Sequence, residues 1–494
     1  LAQVTPDTAV GPLPGRRLIG ALVVLTAVRL VVAALAGPTD DETYYRLWSL
    51  APGIGYYDHA PMVAWFIAAG RAIAGDGALG IRLSGPIASL VGSLLLWRAV
   101  AIVENAATAT RAVVIFNATL LIGVGSIVVT PDTPSVFFWG ATLWALAELE
   151  RSRDPVWWPV VGATAGLGLF SKYSVLFLGL GLVVWLLATR DNRRRLVEPR
   201  LWIGGAIALA LFAPVVLWNA EHQWVSFVKQ FGRTVPHGIR PEKTLEFLGV
   251  QMLLFGLPAV PLLVAGIARA ARAWRAGDAT RALPLATSLP FAFYLVFHSV
   301  HGGIEGNWPA PLYPAAAWLA ATALDRRDGR PIAGWLVTAG RWVAPLGFGL
   351  ASLVFVHVSL PLVILSPERD PTAQTRGWDA FAAEIDAKAR EVGAGWIAVP
   401  NYAMVGQFAL RLGTGRVREI GEPARWASLP PLDPAPTGEA ALWVTRSVRD
   451  HTDRLAGRFG RIEPLGVVER RSGGRVVDRY ALYRLAEPIG DPLR

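Results

Sequence analysis

The sequence predicts a mainly α, polytopic helical membrane protein that ends in a small α/β domain. Three observations carry that reading. Of the 494 residues, 53% are hydrophobic and only 17% charged, against ~25% charged in ordinary soluble domains. The mean hydropathy is +0.41. Long apolar stretches recur, separated by short polar ones, until about residue 365, where the pattern stops. The 20 Trp suit a membrane–water boundary, because an indole is apolar with one polar N–H.

A spanning helix needs ~20 mostly apolar residues. The candidates in order are 18–36, 82–103, 111–130, 133–149, 157–171, 173–189, 201–218, 245–268, 283–300, 309–324 and 338–365, eleven in all. Arg16 and Arg17 precede the first, which is too long for a signal-peptide core and reads as an uncleaved first helix with a cytoplasmic N-terminus. The segment 61–75 is apolar but short and holds Arg71, so an interfacial helix is expected there.

Orientation follows from the basic residues. The loops after even-numbered spans hold Arg111; Arg151 and Arg153; Arg190, Arg193, Arg194, Arg195 and Arg200; Arg269, Arg272, Arg275 and Arg281; and Arg326, Arg327 and Arg330. Loops on the other side are poor in Arg and Lys except at 219–244. The positive-inside rule therefore puts the first set in the cytoplasm and the C-terminus outside. The net charge of +10 thus reads as loops facing anionic lipid, and no nucleic-acid motif accompanies it. With no cysteine in the chain, disulfides, thiolate metal sites and Cys nucleophiles are excluded.

The outward loops collect the unusual residues. The first, 37–81, carries Asp40-Asp41-Glu42 and then Tyr57-Asp58-His59. The second is Thr130-Pro131-Asp132-Thr133-Pro134, and the third Ser171-Lys172-Tyr173. The fourth runs from Trp218 through Asn219 and His222 to Arg233 and on to His237, and the fifth from His298 through Asn307 and Trp308 to Pro311. Five loops bringing polar and aromatic groups to one membrane face are the strongest sequence argument for a site there. Carboxylates at the edge of a bilayer are costly and usually functional.

Simpler explanations stand beside the functional ones. Thr39 or Asp40 could cap a helix whose first turn favours acids, and Asp132 could cap the span that follows it. Lys172 could snorkel to the interface, or serve as a point charge for phosphate. A partly desolvated carboxylate among Asp40, Asp41 and Glu42 could act as a general base. Asp58 could bind a cation or orient a substrate, with His59 donating to an anion. Two adjacent residues make a poor metal site, so a divalent cation at Asp58 is the weaker reading.

From about Ser366 the composition turns mixed. TRGWDAFAAEIDAKAREVG and AMVGQFALRLG read as helices; WIAVPNY, ALWVTRS and VVDRYALYRL read as strands. The expected division is a membrane domain at 1–365 and an α/β domain on the outer face at 366–494. The chain lacks a P-loop, a GxSxG elbow, an HExxH and a GxGxxG opening a helix. An activated substrate would therefore have to arrive in the lipid.

The ordered pieces DETYYRLWS, GYYDHAPMVAWFI, TPDTPSVFFW, SKY at Ser171–Tyr173, WNAEHQWVSF and GNWPAPLY resemble the bacterial branch of the protein O-mannosyltransferase-like GT-C glycosyltransferases. That branch is related to the aminoarabinose transferases that modify lipid A. The resemblance covers the membrane part to about residue 325. It implies a large first outer loop with interfacial helices, a polyprenyl-phosphate sugar donor, and inverting transfer to a glycolipid or protein acceptor at the periplasmic face of a bacterial inner membrane. Asp41 matches the family's catalytic aspartate, with Glu42 after it and Asp132 at a second acidic position. Asp58-His59 lies where relatives place an acid and a base that contact donor phosphate or a metal. Tyr57, Lys172, Tyr173, Asn219, His222, Asn307 and Trp308 complete the expected donor and substrate contacts. Ala60 departs from the proline common in relatives, and Asp40 is an extra carboxylate.

Two rivals remain at this level. A protein O-glycosyltransferase would use the same donor. A lipid-linked sugar transporter or flippase would place ionisable groups near mid-membrane on interrupted, repeated helices, whereas here they gather at one face and no internal repeat is evident.

Overall fold

The computed structural model describes residues 13–232, 238–327, 329, 331–360, 370–427, 429 and 436–493. His237, Arg233 and Arg330, the tail of the eleventh expected span and the 365/366 domain boundary lie outside the described residues.

The membrane part is built of helices joined by loops, and the first strand among the described residues begins at Trp396. Among the described residues, five helices are long and apolar enough to cross a membrane, or seven if each of two bent pairs counts as one span. The five are Arg16–Leu35, Ala78–Val103, Pro199–Glu221, Ala279–Ser299 and Gly334–Ser359. The bent pairs are Tyr173–Leu187 with Arg190–Val197, at 108°, and Pro241–Phe255 with Ala259–Arg275, at 100°. The count of eleven also included the helices Trp157–Leu169 and Tyr313–Thr322, of 13 and 10 residues. At 1.5 Å per residue these reach only about 20 Å and 15 Å, short of the ~30 Å hydrocarbon core.

The helices pack closely where the sequence is small. Gly162 on Trp157–Leu169 faces Gly204 on Pro199–Glu221, and a Cβ on Gly162 would sit 1.9 Å from the Gly204 carbonyl oxygen. Small residues let two helix backbones approach in this way without a hydrophobic drive between them. The helix Asp132–Ser152 has 21 residues, about 30 Å. Its first residue belongs to the polar loops described above. Its far end carries Glu148 and Glu150, which pair with Arg98 at 2.7 Å and Arg195 at 2.5 Å. One helix thus links the candidate site to the arginine-rich end.

The segment 61–75 forms the 13-residue helix Met62–Ala74, which buries Val63, Ala64, Ile67 and Gly70. The C-terminal domain is α/β, with one sheet of strands β1 (Trp396–Val399), β2 (Val417–Glu419), β3 (Ala441–Arg446), β4 (Phe459–Ser472) and β5 (Arg475–Pro488). The strand order is β2-β1-β3-β5-β4. β1 pairs with β2 and β3 in parallel, while β5 joins β3 and β4 antiparallel. The helices Trp378–Glu391 and Tyr402–Leu412 fall where the sequence placed them. β2 and β4 were not foreseen: β2 has three residues, and β4 is half exposed without a regular alternation.

The domain does not keep its core to itself. Tyr44, Tyr45, Leu47, Trp48, Tyr56, Val63 and Ile67 of the first loop share one buried cluster with Trp378, Phe381, Val405, Phe408 and Tyr480. The first loop is therefore held from both sides, by membrane helices and by the sheet domain.

Candidate active site

The loop begins with a helix, Asp40–Trp48, whose start explains two of the three consecutive acids. Thr39 is its N-cap, and its side chain accepts from the Glu42 N–H at 3.2 Å. Glu42 Oε2 reaches back to the Thr39 N–H at 2.9 Å, completing a capping box. Glu42 is fully buried, and its carboxylate also takes Arg82 through both oxygens, at 2.8 and 2.6 Å, and the Val129 N–H at 3.1 Å. Each oxygen already accepts twice, so nothing is left for a substrate. This corrects the placing of Glu42 among the catalytic residues. Asp40 turns toward the sheet domain, where Gln407 Nε2 donates to it at 2.9 Å.

One helical position on, Asp41 faces the other way. It opens on a cavity of about 650 Å³ that also holds Asp58, His59, Asp132, Lys172, Tyr173, Asn307 and Trp308. Five stretches far apart in sequence thus meet around one space. Asp41 is exposed to the cavity rather than packed into the core. The protein gathered around the cavity raises its pKa above the usual carboxylate value by desolvation, against the opposing pull of a hydrogen bond from Tyr402 at 3.0 Å. The nearby charges of Asp58 and Glu42 push it further in the same direction.

The same cavity holds a three-residue anchor. Lys172 Nζ donates to Asp132 Oδ1 at 2.5 Å, and Asn307 Nδ2 donates to Asp132 Oδ2 at 2.6 Å. Pro131 occupies the cap position and Asp132 makes no cap bond, so the capping explanation of Asp132 does not hold. Lys172 reaches inward to a carboxylate rather than out to the interface. An apolar recess of about 210 Å³ opens off the same wall, sharing Thr130, Asp132 and Asn307 and running past Gly85, Gly92, Val136 and Phe137.

The third element is Asp58. Tyr44 Oη donates to Asp58 Oδ2 at 2.8 Å, and the Arg425 guanidinium pairs with the same oxygen. Burial raises the Asp58 pKa, with Arg425 and Tyr44 opposing. A bound cation would compete with that guanidinium. Among the described residues, no group of three or more His, Asp or Glu stands together to hold a metal ion. The donor set around Asp58 therefore does not fit the divalent cation considered from sequence.

Besides Glu42, three sequence candidates fall outside the cavity. Tyr57 donates to Glu422 at 2.8 Å on the side of the sheet domain. Asn219 is buried at a helix end, donating to the Val215 carbonyl at 2.9 Å and accepting from the Phe227 N–H at 3.3 Å. His222 stacks on Trp218 with ring centres 4.1 Å apart. Asn219 and His222 thus make local contacts, while Tyr57 bridges to the sheet domain. Residues not singled out from sequence line the cavity instead: Lys229, Gln230, Glu305, Tyr402 and Arg425. Lys229 Nζ bonds Glu422 at 2.6 Å. Its loop was recognised, but the basic residue within it was not. Tyr402 and Arg425 had no signal, since both belong to the sheet domain, where no motif was visible.

Known proteins bear on this geometry. The family described as dolichyl-phosphate-mannose-protein mannosyltransferase matches residues 58–218. Lipid A galacturonosyltransferase RgtD of Rhizobium johnstonii is 25% identical over 375 residues, 74% of this chain and 76% of that protein. The crystal structure of ArnT from Cupriavidus metallidurans bound to undecaprenyl phosphate superposes with a TM-score of 0.63 at 16% identity, covering 94% of this chain and 97% of ArnT. The archaeal oligosaccharyltransferase AglB from Archaeoglobus fulgidus, in complex with an inhibitory peptide and a dolichol-phosphate, gives 0.50 at 12% identity, covering 87% and 69%. The chain has the fold of ArnT-like GT-C membrane proteins, sheet domain included.

Proposed function

We infer that this GT-C glycosyltransferase of the aminoarabinose-transferase-like group moves a sugar from a polyprenyl-phosphate donor to a glycolipid of the cell envelope, with inversion at the anomeric carbon. The observation that carries the reading is Asp41. It is a carboxylate with a raised pKa that lines the same cavity as the Lys172–Asp132–Asn307 anchor.

The chemistry follows from that arrangement. Asp41 accepts the proton of the acceptor hydroxyl as its oxygen attacks the anomeric carbon on the face opposite the phosphate. The bond from that carbon to the phosphate oxygen breaks, and the lipid phosphate departs with the electron pair. A phosphate monoester is already a good leaving group, so no general acid is needed. Lys172 and His59 are placed to meet its charge, as preorganised donors do where charge develops. The apolar recess beside Asp132 suits part of a lipid chain.

In this reading the membrane domain spans 1–365 with eleven segments, the N-terminus is cytoplasmic, and the cavity and the sheet domain at 366–494 face the periplasm of a bacterial inner membrane. Lipid A is the favoured acceptor, because RgtD is described by it. A protein acceptor is the second reading, favoured by the description of the matching family.

Mass spectrometry of lipid A, core sugars and envelope proteins from a deletion strain tests both. Loss of one sugar from lipid A, restored by the wild-type gene and not by Asp41→Asn, is expected. Loss from a protein instead would select the second reading, and an unchanged glycan profile would remove both. A general base of this kind contributes ~10²–10⁴-fold to rate, so Asp41→Asn activity close to wild type would exclude Asp41 as the base.

A further inference from the structure

We propose that the C-terminal domain supplies two positioning residues to this site: Tyr402, which orients Asp41, and Arg425, which fixes Asp58. The proposal rests on the reading of Asp41 as the base.

Tyr402 opens the helix Tyr402–Leu412, capped by Asn401, whose Oδ1 accepts the Met404 N–H at 3.1 Å. That helix lies directly on Asp40–Trp48. Gly406 permits the approach, for a Cβ there would be 2.5 Å from Thr43 Oγ1 and 2.8 Å from the Thr43 carbonyl carbon. Gln407 adds bonds to Asp40 Oδ1 at 2.9 Å and the Pro38 carbonyl at 3.3 Å. The placement of Tyr402 is thus set by backbone contact. Its hydroxyl donates to Asp41 Oδ1 at 3.0 Å. Holding one oxygen fixes the carboxylate plane and leaves Oδ2 to receive the proton. A donor to the charged form also favours that form.

Arg425 comes from the short helix Pro423–Ala427. Its guanidinium pairs with Asp58 and, at 2.6 Å, with Glu422, and it lies 4.4 Å from the Tyr402 ring centre and 5.2 Å from that of Tyr44. Asp41 and Asp58 line the same cavity. Two carboxylates sharing a site raise one another's pKa. With Arg425 beside Asp58, that charge is offset, and Asp41 can ionise. The sheet domain therefore acts on the base twice, directly through a hydroxyl and indirectly through a neighbour's charge.

The test reads Asp41 without any substrate. Full-length protein in detergent is treated with a water-soluble carbodiimide and glycine ethyl ester between pH 4 and pH 8. Labelling at Asp41 and Asp58 is then quantified by peptide mass spectrometry. Labelling follows the protonated acid, so its midpoint reports each pKa. Tyr402→Phe removes one hydroxyl and is expected to move the Asp41 midpoint up by roughly one pH unit, the direction lost anion stabilisation requires. Arg425→Gln is expected to raise the Asp58 midpoint, with Arg425→Lys restoring most of it. Intact melting temperatures separate these shifts from unfolding; if Arg425→Gln does not fold, Arg425→Met takes its place as the charge-removing variant. An unchanged Asp41 midpoint in Tyr402→Phe overturns the role of Tyr402. An unchanged Asp58 midpoint in the folded charge-removing variant, Arg425→Gln or Arg425→Met, overturns that of Arg425. Full activity in Asp41→Asn with both shifts present would sink the base assignment alone.

Discussion

Lys172 and Asn307 hold the two oxygens of Asp132 from opposite sides, at 2.5 and 2.6 Å. The three come from separate loops, so the anchor ties three parts of the membrane domain at one point and holds the Lys172 ammonium, paired with Asp132, at the cavity wall.

Lys172→Met is expected to reduce transfer by ~10²–10³-fold, the usual cost of removing a preorganised donor from developing charge. Lys172→Arg should recover only part of this, because a planar fork cannot replace a compact ammonium. Initial rates with the donor and acceptor that the deletion strain identifies would measure it. A Lys172→Met rate close to wild type would make the anchor purely structural.

Arg82 and Glu42 form a buried pair, 1% and 0% exposed at their side chains. Arg82→Met leaves an unpaired carboxylate inside the protein, at a cost of ~3–5 kcal/mol. A lower melting temperature in detergent is expected, with partial recovery in the double variant Arg82→Met with Glu42→Gln, whose neutral amide tolerates burial better. Equal melting temperatures for the single and double variants would contradict this account.

Gly406→Leu would press a side chain against the backbone of Thr43. The two helices must then part, and Tyr402 with them. Faster proteolysis of the sheet domain and a fall in transfer of at least tenfold are expected together. Loss of neither would mean that the domain docks without this contact.

Glu419, buried on β2, has its pKa raised to about 7, chiefly by burial, with Trp426 opposing through a hydrogen bond at 3.0 Å. The folded form therefore binds a proton more tightly than the unfolded one. Stability is greatest below the unfolded value near 4.5 and falls as pH rises toward 7. Melting temperatures of wild type and Glu419→Gln between pH 5 and 8 should diverge, with the Gln variant the flatter. Parallel curves would refute the shift.

How much of this was legible in the sequence differs by element. The α/β tail and its two longer helices were readable because their apolar residues recur at helical or strand spacing. The outer-loop polar residues stood out because carboxylates and Lys are rare beside a bilayer. Glu42 misled because an isolated Asp-Glu pair does not reveal that its second member meets Arg82, 40 positions later. Hydropathy alone also hides the breaks inside an apolar stretch, such as the bend between Phe255 and Ala259, and the shortness of helices such as Tyr313–Thr322. Tyr402 and Arg425 were invisible for a different reason. Their part in the site depends on a domain contact that leaves no local periodicity, only a glycine at position 406.

The bond between Asp41 and Tyr402 joins residues 361 positions apart. At ~5–20 residues per second, the ribosome releases Asp41 some tens of seconds before its partner exists. Over that interval the first loop lacks the hydroxyl that holds Asp41, and the face of its core cluster is uncovered. Synthesis itself then acts as a delay: a nascent chain, or one truncated before the sheet domain, carries the membrane-domain residues that line the cavity without the contact that holds Asp41.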